Sequence, residues 1–307
     1  MKIEIRRLAA GLGAEVVGVN LTEPMDDTTF AEIEEAWRQH LVLLFRAQSL
    51  DHAQQVAFSR RFGELDDHRT IPRYRHPDHH EILLVTNQEV GGRPQPVGRQ
   101  WHSDLSTTLR PARASLLRSE VIPPVGGDTM FTNMYLAYET LSETMKKIIE
   151  PLEAIHDMTV ARQLRGRDPA DLADVRRRNP PVVHPVVRVH PETGRKALYV
   201  SEMTTIGIAG MTEDEAQPLL QYLYQHSVRP EFTYRHRWQV GDVLAWDNRC
   251  TMHLALDDYD LNVPRKMYRT TLLGEESGRL ATPEMLARLA GTPDPDPDPV
   301  PAAAAMA

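Results

Sequence analysis

From residue 3 to residue 274 the chain returns again and again to short aliphatic and β-branched runs. The helical stretches among them do not alternate with them in a βαβ rhythm. "KIEIRRL" and "GLGAEVVGV" read as strand, turn, strand, and "LVLLFRA" as a buried strand. "EILLVTN", "RASLLRSEVI", "FTYRHRWQVGDVLAWDN" and "KMYRTTLLG" add further strands, and "VVHPVVRVHPETGRKALYVSE" reads as a hairpin turning at "PETG". Strands with interspersed helices and no crossover rhythm predict a mainly β architecture with helices, a sandwich or barrel core decorated on its outside. A parallel, doubly wound sheet is not expected.

The helices have their own signals. In "TEPMDDTTFAEIEEAWRQHL" the residues Phe30, Ile33, Ala36 and Trp37 fall at i, i+3 and i+4 spacing, behind N-cap candidates in "DDTT". "SLDHAQQVAFSRRFGEL" predicts a second helix closing near Gly63, and "MYLAYETLSETMKKIIEPL" and "TEDEAQPLLQYLYQHSV" predict two more. Residues 159–182 are polar, charged and weakly periodic, with breaks at Gly166 and Pro169, and predict either a mobile lid or a disordered loop. The tail 291–307, "GTPDPDPDPVPAAAAMA", cannot supply a core and is expected to be disordered, leaving 1–290 as a single domain.

Charge and cysteine content narrow the function. A formal net charge of −8 argues against a general nucleic-acid binder, and the basic runs "DVRRRNPP" and "YRHRW" read as solvated faces. No stretch has the length and apolarity of a membrane span, and the N-terminus lacks a signal-type apolar region. The single Cys250 excludes thiolate-rich zinc sites and cysteine-ligated clusters, so any metal is held by nitrogen and oxygen. Together these features predict a cytoplasmic protein with no membrane and no nucleic-acid partner.

"RQWHSDLS", residues 99–106, is where chemistry enters. On a strand, residues i and i+2 share a face, so His102 and Asp104 would project together. They are either solvated strand residues and a satisfied His–Asp hydrogen bond, or two ligands of a site with two histidines and one carboxylate. The second reading needs a distant histidine. The three histidines of "RHPDHHE" sit in a Pro- and Asp-rich loop and are expected to face solvent; His184 and His190 read as core or edge residues. His253, after the "DN" turn of "WDNRCTMH", is the best placed.

"WHSDLS", "GGDTMFTNMYLAYETLS", "HPVVRVHPETGRKALYV", "WDNRCTMH" and "RKMYRTTLLG" occur in the order that characterises the taurine dioxygenase / 2,4-dichlorophenoxyacetate dioxygenase family, and the chain resembles it from about residue 3 to 274. The resemblance implies a double-stranded β-helix (jelly-roll) core and an enzyme that uses Fe(2+), 2-oxoglutarate and O2. It implies His102, Asp104 and His253 as iron ligands, with Thr129 and Arg265 on the distal carboxylate of 2-oxoglutarate. It places Arg269 and His68 near a substrate anion, and a homo-oligomer, dimer or tetramer, is expected with it. One departure is a stretch between His253 and Arg265 that is one residue longer than in the taurine enzyme, so the two arginines are matched through "R-x-M-x-R". Guanidinium offers a planar fork to a carboxylate, whereas without the resemblance the two would read equally well as an exposed basic pair.

Three pocket positions also differ. Ile71 stands where the taurine enzyme has a tyrosine, Gly98 where it has an asparagine, and Thr204 where it has a phenylalanine. Losing those partners counts against taurine and for a larger anion: an alkyl sulfonate, an alkyl sulfate or an aryloxyalkanoate. The expected reaction hydroxylates the carbon next to the heteroatom, and the product collapses to a carbonyl compound, with succinate and CO2 released. Two rivals of other classes are a hydrolase holding zinc on the same ligands and a non-catalytic jelly-roll binding module. The first leaves Thr129 and Arg265 without a purpose, and the second needs no complete ligand set.

Overall fold

The computed structural model describes residues 3–69, 74–88, 98–161, 164 and 168–290. In chain order its strands are β1 (Glu4–Arg7), β2 (Ala14–Val17), β3 (Val42–Phe45), β4 (Leu83–Thr86), β5 (Ala112–Val121), β6 (Thr129–Asn133), β7 (Glu153–His156) and β8 (Val182–Pro185). They continue as β9 (Val187–Val189), β10 (Lys196–Leu198), β11 (Thr205–Ile208), β12 (Thr233–His236), β13 (Val243–Asp247), β14 (Thr251–Ala255), β15 (Lys266–Leu273) and β16 (Arg279–Leu280). The helices are α1 (Asp27–His40), α2 (His52–Arg60), α3 (Met134–Glu139), α4 (Glu143–Ile149), α5 (Pro169–Arg178), α6 (Glu213–Ser227) and α7 (Pro283–Leu289).

A seven-stranded sheet runs β1-β2-β3-β13-β5-β15-β4, antiparallel except where β2 lies parallel to β3. Separate from it are a three-stranded sheet, β12-β6-β14, and a four-stranded one, β11-β7-β8-β16, while β9 and β10 pair as the hairpin read at "PETG". The architecture is thus β-rich with peripheral helices.

The period-two alternation of β5 separates two cores. Ala114 and Leu116 face a cluster containing Phe30, Ile33, Trp37, Phe58 and Phe62 from the α1–α2 side. Leu117 faces the other core, shared with Phe131, Trp246, Leu220 and Leu223. The apolar stripe of α1 lies where its spacing placed it, capped by Asp26, whose side chain accepts from Thr29 N. On α2, Asp51 and Gln54 form a capping box.

Several expectations need correction. The helix read over 134–152 is two, because Ser142 starts a second one by accepting from Met145 N. The segment 159–182 is not simply a loop: Asp168 caps α5, whose residues are all solvent-accessible and whose Arg176 bonds the buried Asp157. Gly166 and the tail 291–307 lie outside the described residues. The histidines of 75–81 do not all face solvent, since His76 and His79 gather with His52 (ring centroids 4.6 and 5.5 Å from it) against Tyr268. His184 and His190 are core residues. No helix among the described residues is long and apolar enough to cross a membrane.

Candidate metal centre and anion anchor

The three-stranded sheet and the segment before β5 bring the site together. β14 supplies His253, which pairs in register with Phe131 of β6 on one side. On its other side it makes an isolated bridge with His102, with His253 N donating to His102 O at 2.8 Å and His102 N to His253 O at 3.1 Å. Cross-strand partners put the two imidazoles side by side, ring centroids 4.1 Å apart. The strand reading of "WHSDL" therefore holds for one residue only. At Asp104 the backbone N–H goes to the Asn248 side chain instead of a ladder partner, and Leu105 takes a left-handed φ of 54° as the chain turns.

That turn aims the Asp104 carboxylate back at the rings. His102 Nε2 lies 3.9 Å from Asp104 Oδ1, and His253 Nε2 lies 3.9 Å from Asp104 Oδ2. One donor atom from each residue falls within 4.8 Å of the others, and all three are buried. His102 Nδ1 sits 2.7 Å from Gln100 O, an acceptor, so the ring proton belongs on Nδ1 and the Nε2 lone pair faces the carboxylate. Burial holds both imidazoles below their usual range, more strongly at His253. Burial also opposes charge on Asp104, but Arg269, His253 and His102 outweigh it and keep the carboxyl well below its usual range. Two neutral imidazoles and one anion are the state in which such a set binds a cation. The residues present fit the iron implied for them.

A second trio, His190, Asp247 and Cys250, is equally close and buried. Its carboxylate is already taken by Arg249, at 2.9 and 2.7 Å, and by His190 at 3.0 Å. It is a structural network.

Arg265, Met267 and Arg269 point to the same face of β15 and its approach, as their i, i+2, i+4 spacing requires. Arg265 is 6% exposed, and its Nε donates to Gly127 O at 3.1 Å. Among the described residues no carboxylate pairs with it. Gly127, at φ 71°, permits this approach, because a Cβ there would stand 3.3 Å from the Arg265 side chain. Thr129 is buried on β6, and its hydroxyl accepts from Trp238 Nε1 at 2.9 Å, which leaves the hydroxyl proton to donate elsewhere. A buried guanidinium with no carboxylate partner and a buried hydroxyl with a proton to donate are the kinds of group an anion would satisfy. Trp238 escaped sequence reasoning, because it lies in a run that read only as a basic strand.

The substrate-side candidates divide. Arg269 Nη1 donates to Asp104 Oδ1 at 2.6 Å, while its buried Nε has no partner. His68 is buried, with Nδ1 3.1 Å from Asp66 Oδ2 and Nε2 3.2 Å from Glu81 O, so both ring nitrogens already face acceptors inside the protein. Thr204 belongs to a hydroxyl cluster, 3.0 Å from Ser106 Oγ and 2.9 Å from Ser201 Oγ, beside a small gap of about 10 Å³ lined by Ser106, Ser201, His156, Tyr199 and Met252. Gly98 has a φ of 78°, and a Cβ there would stand 3.3 Å from His102 Cε1. Ile71 lies outside the described residues.

Over residues 4–271 the chain matches the family described as "Taurine catabolism dioxygenase TauD, TfdA family". It is 36% identical over 282 residues to an alpha-ketoglutarate-dependent sulfate ester dioxygenase of Pseudomonas putida, covering 90% of this chain and 91% of that protein. It is 35% identical over 278 residues to an alpha-ketoglutarate-dependent 2,4-dichlorophenoxyacetate dioxygenase of Cupriavidus pinatubonensis, covering 85% and 94%. Its structure is similar to the crystal structure of a taurine dioxygenase from Burkholderia xenovorans, with a TM-score of 0.77, 38% identity, and 92% and 96% of the two chains covered.

Proposed function

The chain belongs to the TauD, TfdA family of dioxygenases, and from that premise we propose that it hydroxylates the carbon next to the heteroatom of a small organic anion. The substrate class is alkyl sulfates and alkyl sulfonates, with aryloxyalkanoates as the alternative. We read its sheets as the jelly-roll core of a single catalytic domain over residues 1–290.

The observation that carries this reading is the buried set of ligand atoms from His102, Asp104 and His253, all within 4.8 Å of one another. Its neighbour β6 carries Thr129 two residues from Phe131, the register partner of His253, and Arg265 is the buried cation we assign to the same anion as Thr129. Bound to the triad, iron(II) with 2-oxoglutarate and O2 supplies the oxidising power for hydroxylation and yields succinate and CO2. His102, Asp104 and His253 would hold the ion, and a set of only three protein ligands would let a cosubstrate bind to it as well. Arg265 and Thr129 hold the far carboxylate of 2-oxoglutarate and so orient its keto-acid end toward the triad. The free Nε of Arg269 receives the substrate's anionic head group. The hydroxylated carbon still carries its leaving group, so it collapses to a carbonyl compound and sheds sulfate, sulfite or a phenol.

Relatives that act on sulfate esters and on 2,4-dichlorophenoxyacetate favour the two classes named. Gly98, pressed against His102, and Thr204, bonded to Ser106 and Ser201, offer no free polar group to a short amine. The test is succinate formation with iron(II) and 2-oxoglutarate across alkyl sulfates, alkyl sulfonates including taurine, and aryloxyacetates. Taurine should rank below the longer anions. Preference for taurine over all of them would refute the substrate assignment, and failure of every anion to stimulate succinate formation would refute the reaction.

A further inference from the structure

Asp104 is the one ligand whose orientation its own backbone does not settle, because it sits in a turn. Asn248, in the link between β13 and β14, is 1% exposed and bonds that turn directly at Asp104 N. Its Oδ1 accepts from Asp104 N at 3.1 Å and from Trp246 Nε1 at 3.1 Å. With the carbonyl oxygen committed to two donors, the amide group is fixed, and Nδ2 points at Ser115 Oγ, 3.0 Å away. Ser115 Oγ therefore accepts from Asn248, and its own proton goes to Asp104 Oδ2 at 2.6 Å. Ser115 comes from the middle of β5 and has no exposed surface, so no bulk water competes for either bond.

The other carboxylate oxygen belongs to Arg269, whose Nη1 donates to Oδ1. Guanidinium prefers to engage a carboxylate with two parallel bonds. Ser115 holds Oδ2 out of that arrangement and keeps the carboxylate plane turned toward His102 and His253. We propose that Asn248 and Ser115 are positioning residues: together they set the direction of the hydrogen bond to Asp104 and hold its carboxylate in the orientation that binds metal. The inference rests on Asp104 being a metal ligand, and it concerns one residue of β5 and one of the β13–β14 link, neither of them among the three ligands.

The experiment measures the affinity of the metal-free protein for Mn(II) alone by calorimetry, with the Mn(II) EPR spectrum as a second readout and a thermal melt as the check on folding. Ser115→Ala should weaken Mn(II) binding by about 10- to 100-fold, the usual effect of removing an outer partner of a metal ligand. Its EPR spectrum should change as well. Ser115→Thr restores a hydroxyl donor and should recover affinity even if its added methyl lowers the melting temperature. Ser115→Cys, close to serine in size but a weak donor, should fall between, and it serves if the alanine variant does not fold. Asn248→Ala should cost less affinity in the Ser115→Ala background than in the native protein, because part of its effect passes through Ser115. Native affinity and spectrum in both Ser115→Ala and Ser115→Cys would overturn the proposal. Asp104→Ala separates the two failures: if it binds Mn(II) as the native protein does, Asp104 is not a ligand at all.

Discussion

Arg265 is a buried cation with a single protein contact from its Nε, and no carboxylate among the described residues pairs with it. Burial opposes that charge, Tyr259 and Asp128 offset only part of the cost, and a bound anion would supply the missing partner. Arg265→Ala should raise the 2-oxoglutarate concentration needed for half-maximal succinate formation by an amount worth about 2–5 kcal/mol, the cost of truncating one side of a buried charged pair. An unchanged requirement would move the anchor to Arg269. Gly98 carries a different constraint. Because its φ is 78° and its Cα faces His102, Gly98→Asn should weaken metal binding before it alters substrate choice. A Gly98→Asn variant with native metal affinity and a new preference for taurine would show that the position faces substrate. At this scale the sequence was informative where spacing carries geometry. The pair Arg265/Arg269 could be read because residues four apart on extended chain share a side, whereas His102 and Asp104 meet through the turn that follows His102 and not through strand alternation. Trp238, Ser115 and Asn248 could not be read, because they come from β5 and from the segments flanking β13, outside the motifs themselves, and nothing local distinguishes them from packing residues.

Among the elements, α1 was readable because an apolar stripe and an N-cap agree on one helix. The opposite case is α5, whose residues all remain solvent-accessible, so no hydrophobic period marks it in the sequence. Its helical character comes from the Asp168 cap and Pro169 at the first turn, both local signals that charge and polarity obscured. The bond from Arg176 to Asp157 ties it to the body, and Asp157 also accepts from Thr159 N and its hydroxyl. A helix with no buried residue and this tether is expected to exchange its amides by local opening. Amide exchange in α5 should be much faster than in α6, which buries Leu220 and Leu223. Arg176→Ala should speed it further while lowering global stability by about 1–3 kcal/mol for the buried carboxylate oxygen left without a partner. Equal protection of α5 and α6 would mean that contacts other than this tether hold the helix down.

Taken as a whole, the protein packs two apolar cores against opposite faces of one sheet, and the inner core also encloses histidines with no charge partner. His156 and His184 are fully buried with ring centroids 5.5 Å apart, and each leaves one ring nitrogen unpartnered. Burial, reinforced by Arg188, pushes His184 down to about 4, while burial, reinforced by His184 and Arg188, carries His156 well below its usual range. An unfolded histidine titrates near 6.5, so between that value and about 4 the unfolded chain binds a proton at position 184 that the folded chain refuses. Stability from this site is therefore complete above pH 6.5 and is lost as the pH falls toward 4, by up to about 3 kcal/mol for His184. His156 adds to the loss in the same direction. Urea unfolding of the metal-free protein at pH 7, 6 and 5 reads this directly. The free energy should fall steadily with pH, and His184→Gln should flatten the slope even if it lowers stability at pH 7. Metal-free protein whose stability does not change from pH 7 to pH 5, or a His184→Gln slope equal to the native one, would show that this histidine takes up its proton as readily in the folded core as in water.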